Sequence, residues 1–407
     1  FFAKGRFGGI ESSQNDVLTG DAPGLFVNRV IDILGNQAPK GGDVSLTINA
    51  AAQKAAYDGL KKLGANTRGA VVAIEPATGR ILAMVSSPTF NPNRLATHDF
   101  TVASRYYSRL LNEKLAPLNN RAIEERLPPG STFKLVTAAA ALSSGKYQPD
   151  TLVDGGALLD LPQTSTNLPN ESRGSCGGSK ITLTRALEVS CNVAFGSIGL
   201  DLGGEAIRKQ AEKFGFNSSQ PYFTGLDDPL TSQVQSQFPA DLDPPQGALS
   251  AIGQANVTAT PLQMAMVAAG IANNGKVMKP YVVDEIRSAD LDVIKPVDPV
   301  PLDPSDPQAI SSAVARKLTE MMVSVVDNGT GRTAQIPGVK VAGKTGTAQS
   351  LKSRPPYAWF VSFAPSENAR VAVAVLIQDA NVDRDAISGS GLAAPIAKAV
   401  MEAVLNR

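Results

Sequence analysis

The placement of strand-like segments along the chain constrains its fold more than any other feature. Residues 70–74 and 80–85 flank the turn Pro76-Ala77-Thr78-Gly79 and read as one apolar hairpin near the start. Residues 339–342, 359–364 and 371–377 read as three more strands near the end. Between them, residues 120 to about 326 are mostly helical in pattern and are cut by Pro and Gly loops. Strands at both ends with helices between imply one sheet assembled from distant segments. Helices are also expected over residues 48–63 and, closing the chain, over 393–405. A Pro- and Asp-rich stretch, 297–307, reads as a surface loop. Residues 1 to about 45 are of another character: Gly-rich at first, then an amphipathic run at 25–34, then a turn at Pro39-Lys40-Gly41-Gly42. They are expected to be the end of a separate N-terminal module, with residues 46–407 forming one large domain.

Composition excludes several functions. Of 407 residues, 43% are hydrophobic and 18% charged, enough apolar material for a sizeable core. The net charge of +1 offers no basic excess for nucleic acid. One histidine, His98, and two cysteines are too few for a zinc site of the His/Cys type. A Ser-His-Asp triad would have to use His98, and no G-x-S-x-G elbow is present. Nucleophilic chemistry in this chain is therefore expected to use a base other than histidine. The apolar runs are short, residues 371–377 being typical, and none approaches the roughly 18 residues of a membrane span. The chain opens at Phe1 without a Met or a signal peptide, and an N-terminal continuation is expected.

Three motifs carry candidate chemistry. Pro128-Pro129-Gly130 precedes Ser131-Thr132-Phe133-Lys134, which opens an apolar helix over residues 135–142. A serine at a helix start meets free N–H groups, and a lysine three residues on lies on its face. A buried lysine has a lowered pKa and can take the serine proton. Alone, S-x-x-K is weak: Ser143-Ser144-Gly145-Lys146 also matches, and a serine there is an ordinary cap. Second, Ser190-Cys191-Asn192 falls between helical runs at 183–189 and 193–202. A hydroxyl and an amide there can relay a proton and hold a substrate amide. Alone, a cap or turn role fits it better. Third, Lys344-Thr345-Gly346-Thr347 continues the strand at 339–342 and occurs once. Lys and Thr can grip a carboxylate, and glycine allows close approach of a ligand backbone. Residues 338–345 also fit the phosphate-loop pattern G-x-x-x-x-G-K-[ST]. That reading needs a helix directly after Thr345, where Gly346 stands instead.

In this order the three motifs resemble those of penicillin-binding proteins and serine β-lactamases. The hairpin from Gly69 to Pro88 and the stretch from Ser250 to Pro280 are similar to the opening strands and the helical region before the third motif of transpeptidase domains. The resemblance spans about Asp43 to Arg407 and is closest to class B penicillin-binding proteins, within those to the actinobacterial A type. It implies an α+β fold: a five-stranded antiparallel sheet with helices on both faces, plus a largely helical subdomain. It implies that Ser131 forms an acyl-enzyme, that Lys134 activates it, and that Ser190 assists proton transfer. Asn192 would hold the substrate amide. Lys344, Thr345, Gly346 and Thr347 would bind the terminal carboxylate side, and the N–H groups of Ser131 and Thr347 would form the oxyanion hole. The implied reaction is D,D-transpeptidation of peptidoglycan stem peptides ending in D-Ala-D-Ala, inhibited covalently by β-lactams, with neither cofactor nor metal. It would run on the extracytoplasmic face of the membrane, with an N-terminal anchor and division or elongation proteins as partners.

Carboxypeptidase, β-lactamase and β-lactam sensor share the acylation step and remain alternatives; a non-catalytic wall-binding module is the fourth. A class A β-lactamase would need a deacylating Glu between the second and third motifs. Glu205 and Glu212 lie there, but both read as solvated helix positions. Cys176 and Cys191 are fifteen residues apart, the second inside the Ser190 motif. They are either two unrelated buried thiols or a disulfide, and an extracytoplasmic setting favours the disulfide. Loop entropy would then contribute about 3 kcal/mol.

Overall fold

The computed structural model describes residues 9–25, 30, 34, 40–97, 99–219, 221–223, 233–348, 355–380, 382, 383 and 387–406. His98 and most of the 25–34 run lie outside them. Strand β1 (Asp43–Leu46) leads into helix α1 (Ala50–Lys62), whose first turn is capped by Asn49 Oδ1 accepting from the Ala52 N–H at 3.0 Å. Strands β2 (Arg68–Ile74) and β3 (Ile81–Ser87) form the expected hairpin. A 3-10 turn, Gly130–Phe133, runs into α2 (Lys134–Ser143). Four three-residue strands follow: β4 (Leu152–Asp154), β5 (Leu158–Asp160), β6 (Asn167–Pro169) and β7 (Lys180–Thr182). Next come α3 (Leu183–Glu188), α4 (Asn192–Leu202), α5 (Gly204–Lys213) and α6 (Pro261–Ala272). Strands β8 (Val283–Arg287) and β9 (Val293–Pro296) precede α7 (Ser312–Asp327). The chain closes with β10 (Ala342–Ala348), β11 (Tyr357–Ala364), β12 (Val371–Asp379) and α8 (Ala394–Leu405).

The two ends of the sequence do build one sheet. Its order is β10-β11-β12-β2-β3, antiparallel throughout. Ala70 pairs with Leu376, and Leu376 with Trp359, so segments about three hundred positions apart lie side by side. Successive side chains point to opposite faces. On β2, Val71 and Ala73 join the core under α1 and α8, while Ala70, Val72 and Ile74 join the larger core that includes α2 and α6. Along β2, β11 and β12 almost every residue on both faces is buried, which is why these strands read as unbroken apolar runs rather than alternating ones. The fold is α+β, as expected.

Two expectations change. The third-motif strand does not cover residues 339–342 but begins at Ala342. Gly338, at φ 72°, folds the preceding segment into a tight turn in which Val339 bridges Ile336. Lys344 to Thr347 therefore lie inside β10, and the strand runs on to Ala348 where a phosphate loop would start its helix. The middle of the chain is also less helical than its pattern suggests. It holds β4 to β9, and β8 and β9 form a second sheet with β1, which runs across residue 45.

The β3 edge of the main sheet is covered. Ile81 N donates to Tyr281 O at 2.9 Å, and Asn49 N to Leu82 O at 2.9 Å. At Met84 the cover is a side chain: Gln53 Nε2 donates to Met84 O at 2.9 Å, and Gln53 Oε1 accepts from Met84 N at 2.8 Å.

Candidate active site

Ser131 sits in the 3-10 turn ahead of α2, one turn earlier than a simple helix start would place it. The two prolines and the turn are pinned from several sides. Trp359 Nε1 donates to Pro128 O at 3.0 Å, Thr132 Oγ1 to Pro129 O at 2.7 Å, and Gly130 N to Gly253 O at 3.0 Å. Phe133 is fully buried, stacked on Phe238 and edge-on to Phe216, each at 5.6 Å between centroids. The turn rests directly on β10. A Cβ on Gly346 would lie 2.9 Å from Thr132 Cγ2 and 3.1 Å from Pro129 O, so only glycine lets strand and turn approach this closely.

Ser190 is held by the end of α3. Its N–H donates to Leu187 O and that of Cys191 to Ala186 O, which closes the helix as a Schellman turn. The position that normally carries glycine is occupied by Ser190, at φ 59°. The next helix, α4, starts at Asn192 without a side-chain cap from Cys191; Asn170 Oδ1 accepts the Val193 N–H at 3.1 Å instead. Asn170 Nδ2 donates to Gly156 O and Gly174 O, both at 2.8 Å, and Asn192 Nδ2 donates to Pro169 O at 3.1 Å. Cys176 and Cys191 are joined by a disulfide. The corner is thus cross-linked to the loop that follows β6.

The motifs meet at Ser190. Lys134 Nζ donates to Ser190 O at 2.7 Å, to Asn192 Oδ1 at 2.7 Å and to Ser190 Oγ at 3.3 Å. Lys344 Nζ donates to Ser190 Oγ at 2.9 Å and to Thr345 O at 2.8 Å. Both lysines are fully buried. Burial, then the charge of Lys344, holds Lys134 well below the ordinary lysine pKa, against the opposing pull of Glu171. Burial pushes Lys344 down to about 7, again opposed by Glu171. Thr345 Oγ1 lies 2.6 Å from Thr330 Oγ1, and Thr330 N donates to Glu188 O, so β10 is tied to the end of α3. Thr347, half-buried, continues the same strand.

The other candidates lie elsewhere. Lys146, of the second S-x-x-K match, is exposed and pairs with Asp201 at 3.3 Å. Glu205 and Glu212 both pair with Arg208 at 2.8 Å on the surface of α5. Two residues at the site escaped the sequence reading. Asn170 and Glu171 fall between the first two motifs, in a stretch with no periodicity to flag them.

The penicillin-binding protein transpeptidase domain model matches residues 69–402. The chain is 39% identical over 403 residues to the peptidoglycan D,D-transpeptidase PbpA of Mycolicibacterium smegmatis, covering 98% of this chain and 79% of that protein. It is 30% identical over 421 residues to the peptidoglycan D,D-transpeptidase MrdA of Acinetobacter baumannii, covering 95% of this chain and 59% of that protein. The structure of penicillin-binding protein A from M. tuberculosis, as a ceftriaxone acyl-enzyme complex, superposes with a TM-score of 0.90 at 38% identity, covering 97% of this chain and 87% of that one. The chain therefore belongs to the penicillin-binding protein transpeptidase family, as a class B member of the PbpA type.

Proposed function

We propose that this protein is a peptidoglycan D,D-transpeptidase acting through an acyl-enzyme on Ser131. The observation that carries the reading is the meeting of two buried lysine amines at the Ser190 hydroxyl, one of them from Lys134, the first residue after the 3-10 turn that holds Ser131. A lysine kept from its proton by burial is a base; Lys134 takes the proton of Ser131 Oγ as it attacks the penultimate D-Ala carbonyl. The C–O bond forms, the C–N bond breaks, and Ser190 passes a proton to the departing D-Ala nitrogen. Lys344, Thr345 and Thr347 receive the terminal carboxylate, whose charge favours the protonated form of Lys344. Gly346 leaves room for the extended substrate backbone, and Asn192 holds a substrate amide. The N–H groups of Ser131 and Thr347 stabilise the oxyanion. An amine then resolves the acyl-enzyme into a cross-link. A β-lactam enters by the same attack, and the M. tuberculosis relative is known as a ceftriaxone acyl-enzyme. The class A β-lactamase alternative gains nothing from Glu205 and Glu212, both of which are engaged by Arg208 on the surface of α5.

The same reading takes residues 46–407 as the transpeptidase unit and residues 1–45 as the end of a preceding module. It places the reaction outside the cytoplasmic membrane, where a disulfide persists, with an N-terminal anchor and division or elongation proteins as partners. Among the described residues no helix is long and apolar enough to cross a membrane. Mass spectrometry after penicillin treatment tests the reading. An adduct on Ser131 that lasts for hours, with amide product from a D-Ala-D-Ala donor and an added amine, supports it. Rapid loss of the adduct makes the protein a hydrolase, and no adduct ends the proposal.

A further inference from the structure

The proposed reaction needs a second substrate, and the described site has an electrostatic difficulty with it. The acceptor is a primary amine, which in neutral water is an ammonium. The floor of the groove carries two lysines, Lys134 and Lys344, and a protonated Lys344 repels a second cation. Glu171 is the carboxylate whose field acts on both lysines. It stands in a well-fixed place. The preceding residue, Asn170, is buried and bonded to Gly156, Gly174 and Val193, and the one before that, Pro169, accepts from Asn192. The Glu171 side chain is exposed and lines a cavity of about 430 Å³ together with Ser190, Ser175, Arg185 and the disulfide. Arg185 is the cation in that lining, and Glu188 Oε2 meets it at 3.0 Å. Among the described residues the Glu171 carboxylate has no ion-pair partner, and it shares a cavity with Ser190, the residue on which both lysines converge.

We infer that Glu171 binds the acceptor: its carboxylate receives the ammonium of the incoming primary amine in the cavity beside Ser190 and guides it to the acyl-enzyme. The inference rests on the transpeptidase reading and names the chemistry of its second substrate. The ammonium gives one proton to Glu171 or solvent and becomes the neutral nucleophile. Its nitrogen attacks the ester carbonyl, the C–N bond forms and the bond from carbon to Ser131 Oγ breaks. The second proton passes from nitrogen through Lys134 to Ser131 Oγ, leaving an amide and free enzyme.

The test uses the partition of one acyl-enzyme, formed from an ester or thioester donor, among water, a primary amine and methanol. Partition is read after acylation, so it does not depend on how fast Glu171→Gln acylates. The expected result for Glu171→Gln is an amide-to-acid ratio lowered about fivefold, the upper end for a solvent-exposed ion pair, with the methyl-ester-to-acid ratio unchanged. Glu171→Asp should restore most of the amide. A penicillin adduct on each variant shows that it is folded. An unchanged amide ratio in Glu171→Gln overturns the inference, and so does a parallel fall in methanolysis, which marks a general distortion. If the wild-type acyl-enzyme forms but yields no amide with any amine, the transpeptidase reading itself fails and this inference falls with it.

Discussion

The two walls of the groove are built by different means. The wall carrying Ser131 is set by exclusion: the turn Gly130–Phe133 lies against Gly346 of β10, with Trp359 bonded to Pro128 just ahead of it and its own Phe133 in the main core. The wall carrying Ser190 shares that core through Leu187, Cys191 and Phe195, but its strands are slight. Strands β4 to β7 are three residues long, and Leu152 and Leu158 stay exposed. There, a disulfide, the three-way amide of Asn170 and a left-handed serine are added to the packing. One wall should resist anything short of a steric insult; the other should yield to reduction or to loss of a polar tie. Lys134 spans both, rooted in α2 and bonded to Ser190 and Asn192.

Because it belongs to both walls, Lys134 should show the largest effect. Lys134→Ala is expected to slow acylation by a fluorescent penicillin about a thousandfold, in the range for loss of a general base. A loss of only a few fold in stopped-flow traces would mean the walls meet through some other group. Next comes the covalent tie. The double variant Cys176→Ser/Cys191→Ser should lose about 3 kcal/mol in urea unfolding. Its acylation should fall far less, since Ser131 stands on the other wall. Equal damage to both readouts would break the contrast. Gly346→Ala should reverse the pattern: about 2 kcal/mol of strain, because Pro129 O and Thr132 N are backbone and cannot swing aside, with weaker acylation by carboxylate-bearing β-lactams. The smallest effect is pH. Lys344 falls from the ordinary lysine value to about 7, so its charge is present below that pH and lost above it. Acylation by a carboxylate-bearing β-lactam should decline by up to about tenfold per pH unit above 7. Lys134 loses its proton in the same direction, which favours the base, so the decline belongs to Lys344. Lys344→Arg, charged throughout, should flatten it, and a sloping Lys344→Arg profile would move the titration elsewhere.

These contrasts also separate what the sequence reveals from what it hides. Residues 371–377 read as a strand because both of their faces are buried, leaving no polar interruption. The third motif was legible as chemistry but misplaced as structure: the turn at Gly338 breaks an apolar alternation that looks continuous, and the strand starts three residues later. Strands β4 to β7 are too short for any period to register, so the middle reads as mostly helical. Ser190 reads as a cap, and it is one, but nothing local announces that a serine takes the left-handed position. Glu171 was invisible for a different reason. Its influence runs through space from the loop after β6, which carries no periodicity and no motif.

With the Gln53 amide standing in for a neighbouring strand at Met84, one border of the five-stranded sheet is closed to any added chain. The opposite border, β10, has no strand beside it among the described residues. Two copies of the protein therefore cannot zip together through β3 into a growing ribbon, the usual route from an exposed sheet margin to fibrils. Among the described residues the margin left open to extended backbone is β10, beside the turn that carries Ser131.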